Sequence, residues 1–347
     1  MSIAVSEGSG FDRTRITRMG AVCAALTILA ALMVVDLVTG PAGLPLSDVL
    51  KGLRDGPDAE NRRLATILWH LRMPQTLMAA LVGAALGIAG LMMQTILNNP
   101  LASPYTLGFS AAAGFGAALV ILFGTALPVA MWIGVPLAAF AATLVAAGLV
   151  YLVAHLRGAS PEMLVLAGIA VLFLFQSLQS LLQFMAAPEV LQQIVFWLFG
   201  SLLKATWTSV QVLSAILAVT LPLIAREVWN LTSLRLGEGN AASLGLNVER
   251  LRLRVLVIIA LLTAGAVSFT GTIGFVGLIA PHVGRALVGE DHRFGLPMAA
   301  IMGAVVLVAA SVLGKVISPG AVIPVGIITA IAGIPMLLAI ILLKGRT

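Results

Sequence analysis

Long apolar runs without charge alternate along this chain with short polar ones, and most of the runs have the length of a membrane crossing. About 20 apolar residues cross the hydrocarbon core. No water is available there to satisfy a bare backbone, so each lipid-embedded run is expected to be a helix. The pattern predicts spans over residues 19–38, 76–97, 105–123, 129–153, 163–185, 206–224, 255–268, 271–288, 296–313 and 324–343. From Met73 to Leu156 the chain has no Asp, Glu, Lys or Arg. Polar residues fill 40–75, an amphipathic piece covers 192–203, and a basic stretch covers 226–254. Asn98-Asn99-Pro100 stops the second run, because proline lacks an amide donor and restricts its predecessor.

Composition agrees with the pattern. Sixty per cent of the 347 residues are apolar and 10% are charged, against roughly 25% charged in a soluble domain. The expected fold is all-α: a polytopic membrane protein of about ten transmembrane helices, with a tail over 1–18 and one transmembrane domain over 19–347. The first run is long for a signal peptide and leads into Gly40-Pro41 rather than a small-residue cleavage site, so it reads as a retained span.

The net charge of +6 lies in short clusters between the runs, which points to topology and not to nucleic acid. Arg13, Arg15, Arg18, Arg157, Arg226, Arg235, Arg250, Arg252, Arg254, Arg293, Lys344 and Arg346 fall on one side if both termini are cytoplasmic. The basic residues of 40–75 count the other way, although acids nearly balance them.

Several chemistries are excluded. Gly314-Lys315 is followed by Val316 and lacks the upstream glycine of a phosphate-binding loop, so ATP hydrolysis by this chain is not expected. The four histidines lie on separate segments and Cys23 is the single cysteine. No metal site, disulfide or cofactor is expected. Asp36 is the one carboxylate inside a predicted span, about a turn from its end, and reads as a side chain reaching the interface rather than a proton relay.

Three patterns remain as candidates. Residues 234–246 are too polar to span and carry Leu236, Gly237, Glu238, Ala241, Leu244 and Gly245. They suit either two short helices joined by a glycine turn, presented to a soluble partner, or a solvated loop. Gln176, Gln179 and Gln183, with Ser177 and Ser180, put amides along one face of an apolar helix. Such a stripe suits a hydrated pathway or helix packing. Gly83, Gly87 and Gly90, and likewise Gly271, Gly274 and Gly277, have the spacing of close helix contacts or hinge points, and Pro281 is expected to bend the eighth span.

The chain resembles the FecCD-type permeases, which import iron–siderophore complexes, haem and cobalamin. The resemblance covers nearly everything from Leu46 onward. It rests on residues 234–246 and on four further stretches in order. Leu71-Arg72-Met73-Pro74 precedes Gly83, Gly87, Gly90 and Gln94; Asn99-Pro100-Leu101-Ala102-Ser103-Pro104 leads to Leu107-Gly108. Gly271, Gly274, Gly277, Pro281, His282 and Arg285 are followed by Asp291-His292-Arg293; Pro324, Gly326 and Thr329 precede Gly333 and Pro335.

The resemblance implies a type II ATP-binding-cassette importer in a bacterial inner membrane. It implies a permease dimer, most simply a homodimer, two cytoplasmic ATP-binding subunits and an external substrate-binding protein. It places ATPase coupling on 234–246 and the pathway on Gln176, Gln179, Ser180 and Gln183. It places binding-protein docking on Arg72 and Lys315. The chain departs from the family pattern at Gln75, Ser311, Lys315 and Val322, which shifts attention to Arg62 and Arg63 as further docking contacts. The rival reading is an ion- or proton-coupled secondary carrier. Broken spans suit it; missing mid-membrane carboxylates do not.

Overall fold

A computed structural model describes residues 4–41, 43–58, 61–124, 130–317 and 321–344, with side chains from residue 15 to 338 of these segments and at Leu342. Arg346 and the side chains of Arg13 and Lys344, used above for orientation, lie outside the described residues. Every regular element among the described residues is a helix. In chain order they are α1 Ala4–Val38, α2 Leu46–Asp55, α3 Arg62–Ile96, α4 Phe109–Phe123, α5 Met131–Arg157, α6 Pro161–Met185 and α7 Pro188–Leu198. Then follow α8 Trp207–Arg235, α9 Glu238–Ser243, α10 Val248–Thr270, α11 Val276–Val288, α12 His292–Ile317 and α13 Val325–Lys344.

Among the described residues, seven helices (α1, α3, α5, α6, α8, α10 and α12) are long and apolar enough to cross a bilayer, and α4, α11 and α13 are shorter apolar helices. Together they are the ten expected crossings; α2, α7 and α9 are the pieces between. The protein is therefore a multi-pass membrane protein.

Helix boundaries differ from the hydrophobic runs for identifiable reasons. The tail expected over 1–18 is helical from Ala4 and continuous with the first span. The second span begins at Arg62, well before residue 76. Asn61 caps it by accepting from the Leu64 amide at 3.1 Å, and a π-helical turn over Thr66–Arg72 carries it into the apolar run. The amphipathic piece is α7, which starts at Pro188 and ends at Leu198, a few residues earlier at each end than the pattern placed it. α8 continues to Arg235 and α10 starts at Val248, so much of the basic stretch lies on helix ends. The eighth run is helical only over Val276–Val288; Gly271–Phe275 is irregular backbone.

The bundle is built around α3 and α10, whose apolar windows are 78% buried, against 17% for α1 and 28% for α6. Glycine makes this packing possible. A Cβ on Gly83 would fall on the Gly303 carbonyl of α12, one on Gly87 on the Ala299 carbonyl, and one on Gly90 on the Gly277 carbonyl of α11. Backbones touch at three successive turns of α3, which removes apolar voids where burial alone gives no drive. Gly271 is likewise closed in, against the Trp197 carbonyl with φ +73°. Gly274 departs from the packing expectation: open space surrounds it, because it lies in the irregular segment.

Candidate functional site

The bundle has two polar ends and a cavity between them. At one end, α8 stops at Arg235 and the chain turns through Gly237 into α9, a single six-residue helix where the pattern suited either two short helices or a solvated loop. Gly237 (φ 113°) and Gly245 (φ 82°) bracket it in backbone regions that glycine enters without a Cβ penalty. Asn247 then caps α10, accepting from the Arg250 amide at 2.9 Å. Leu236 and Leu244 are each 69% exposed, one on either side of α9. Ala241, expected to face a partner, is fully buried and seats the helix on the bundle.

Ion pairs fix the base of this knob. Arg235 pairs with Glu290 at 2.9 Å, and Arg254 with Glu227 at 3.0 Å. The Arg293 guanidinium bonds Asp291 and holds its carboxyl below the usual carboxylate range. Arg252 is almost completely buried and donates to the carbonyls of Ile96 (3.0 Å) and Ala159 (3.2 Å) and to the Glu238 carboxylate. Its sequence neighbourhood, a run of surface-type arginines, gave no sign of this.

Between the ends lies a cavity of about 450 Å³. Gln176 and Gln179 of α6 line it with Ser103, Tyr105, Ser110 and Thr272, and no lining side chain is charged. Ser180 and Gln183, expected beside them, do not line it. One wall is the irregular segment before α11. Tyr105 holds it by donating to the Ile273 carbonyl at 2.6 Å and accepting from the Ile273 amide at 3.1 Å. Thr272 donates to the Leu198 carbonyl at 2.5 Å. Phe275 takes a left-handed conformation (φ 66°), and Gly333 admits its ring. Unpaired peptide groups away from water are costly. Tyr105→Phe is therefore expected to lose about 1–3 kcal/mol by stranding both Ile273 groups, read as a lower melting temperature in detergent.

At the opposite end, Asp36 does not reach an interface as expected. It is fully buried, with Lys315 Nζ at 2.7 Å from Oδ1 and the Thr76 hydroxyl donating to Oδ2 at 2.5 Å. Arg72, also buried, donates to the carbonyls of Leu37 (2.5 Å) and Val38 (2.9 Å). Arg72 and Lys315 are thus turned into the protein, whereas Arg62 and Arg63 are exposed. The pairing joins residues 279 positions apart, so no local pattern announced it.

The fold has solved counterparts. A structure described as an inward-facing ABC transporter of the metal-chelate type superposes with a TM-score of 0.82 at 29% identity, covering 93% of this chain and 98% of that one. The ferric enterobactin transport system permease protein FepD of Escherichia coli is 36% identical over 336 residues, 95% of this chain and 97% of that protein. The hemin transport system permease protein HmuU of Yersinia pestis is 35% identical over 280 residues, 79% and 84% of the respective chains. The FecCD transport family matches residues 28–343. An all-helical bundle of ten crossings, the glycine-bracketed α9 and a match over nearly the whole length lead to one assignment: the chain belongs to the FecCD transport family.

Proposed function

We propose that this chain is the translocating subunit of an ATP-driven importer for an iron chelate, haem or a cobalamin-like cargo. It performs no covalent chemistry. Two copies, or one copy and a sister permease, enclose the pathway, and Gln176 and Gln179 offer the cargo neutral hydrogen-bonding groups. A pathway without fixed charge binds a bulky chelate weakly enough to release it. Cytoplasmic ATPase subunits grip α9, with Leu236, Gly237, Glu238, Leu244 and Gly245 as the contact and Ala241 as its inner anchor. An external binding protein docks at the α2 end, where Arg62 and Arg63 are exposed, as are Lys51 and Arg54 of α2. Both termini lie in the cytoplasm.

The carrying observation is α9: a short helix between two glycines that presents exposed leucines beyond the bundle. An aqueous partner that covers them would remove apolar surface from water.

The purified chain alone is expected to hydrolyse no ATP. With its ATPase and binding protein in liposomes it is expected to move cargo only when ATP is present. Leu236→Asp with Leu244→Asp is expected to abolish co-purification of the ATPase. Transport driven by a proton gradient in vesicles without any ATPase would defeat the proposal. So would labelling of Ser243→Cys, in a Cys23→Ser background, from the external side.

A further inference from the structure

We propose that Arg252 is a positioning residue that links α9 to α6, which lines the transport cavity, and to α3, which packs on the α11 wall of that cavity, so that movement of α9 reaches the pathway through one guanidinium. This rests on the reading of α9 as the ATPase contact.

Arg252 stands in the second turn of α10 and is 3% exposed. Its three nitrogens go to three different elements. Nε donates to the Ile96 carbonyl, at the end of α3. Nη1 donates to the Ala159 carbonyl, immediately before Ser160, whose hydroxyl caps α6. Nη2 pairs with Glu238, the first residue of α9. α6 carries Gln176 and Gln179 to the cavity wall. α3 carries the glycine contacts to α11, which starts at the irregular wall. The guanidinium is a planar fork that can satisfy three directions at once. Its two carbonyl partners end or precede helices, so each is an acceptor without an intrahelical amide.

A charge buried this deeply is retained only where its hydrogen bonds are complete. A displacement of Glu238 therefore cannot occur without either dragging the fork, and with it Ile96 and Ala159, or leaving a buried cation short of a partner. The other ion pairs near α9 do not have this geometry. Glu238 and Glu290 are equally half-exposed, but the arginines of Arg235–Glu290 and Arg254–Glu227 are 23% and 57% exposed and can turn to water, whereas the Arg252 side chain is 3% exposed.

Arg252→Lys tests the assignment. A lysine keeps the charge and can reach Glu238, but an ammonium lacks the planar fork. The whole importer is assembled with its ATPase and binding protein in liposomes, and ATP hydrolysis and cargo uptake are measured on the same preparation. Arg252→Lys is expected to co-purify with the ATPase and to hydrolyse ATP at near the basal rate. Cargo moved per ATP is expected to fall by roughly tenfold, the scale of coupling carried by a packed network. Stimulation of hydrolysis by loaded binding protein is expected to vanish.

An unchanged ratio overturns the proposal. So does a fall of uptake and hydrolysis in equal proportion, or failure of the variant to assemble, since each is what a purely structural peg would give. Failure of the unaltered chain to bind any ATPase is a separate result and defeats the proposed function instead.

Discussion

Replacing Gly90 with leucine is expected to remove almost all well-folded protein from a membrane preparation. Overpacking a core ordinarily costs about 1–3 kcal/mol because side chains and backbone shift to make room. At Gly90 the obstacle is the backbone of Gly277 itself, and the adjoining turns of α3 are equally closed by Ala299 and Gly303. Relief would require moving α11 and α12 together. The loss should appear as collapse of the monodisperse peak in size-exclusion chromatography. Gly148→Ala is the matched control. It also lies in a helix, but nothing approaches its Cβ position. There the substitution is expected to stabilise by up to about 1 kcal/mol through helix propensity. Equal behaviour of the two variants would contradict the close-contact account of α3.

Asp36→Asn is expected to destabilise the protein by about 3–5 kcal/mol, the range for removing one partner of a buried pair. The amide leaves Lys315 as an uncompensated cation at 5% side-chain exposure. It also leaves a single acceptor oxygen where two served Lys315 and the Thr76 hydroxyl. Adding Lys315→Met should recover a large part of the loss, because a cavity without charge is far less costly than one holding an unpaired ammonium. Thermal unfolding of both variants, followed by intrinsic fluorescence, measures the recovery. A single variant as stable as the parent, or a double variant no better than the single, would show that the pair does not hold α1 in place. The substitution is also a poor probe for proton coupling. Loss of transport would follow from structural damage whether or not Asp36 ever carries a proton.

The spans were legible because charge is excluded from them. Uncharged runs located α5, α6 and α12 closely, and small-residue spacing located the face of α3 that meets α11 and α12. The misread features are those in which tertiary partners replace lipid or water. Arg72 looked like a surface cation because nothing local reveals the carbonyls of Leu37 and Val38 that receive it. Arg252 was hidden among arginines that are exposed. The start of α3 at Arg62 was masked by its own charges, which the pattern assigned to a loop. The irregular backbone before α11 was half legible. Its glycines signalled departure from helix, but the supporting Tyr105 hydroxyl comes from 168 residues away. In the candidate site, periodicity put Gln176 and Gln179 on one helix face, and the family resemblance favoured a pathway there over packing. Gln183 shares that periodicity and lies past the cavity.

The link between Asp36 and Lys315 also sets a timetable for biosynthesis. The carboxylate leaves the ribosome 279 residues before its lysine. At about 5–20 residues per second, that is a wait of roughly 15–60 s. Thr76 arrives after 40 residues and supplies one hydroxyl meanwhile. Until α12 is inserted, the first helix carries an acid near the rim of the bilayer without its counter-ion. Its final seating against the bundle is therefore a late event in assembly, although it is among the first segments to be made.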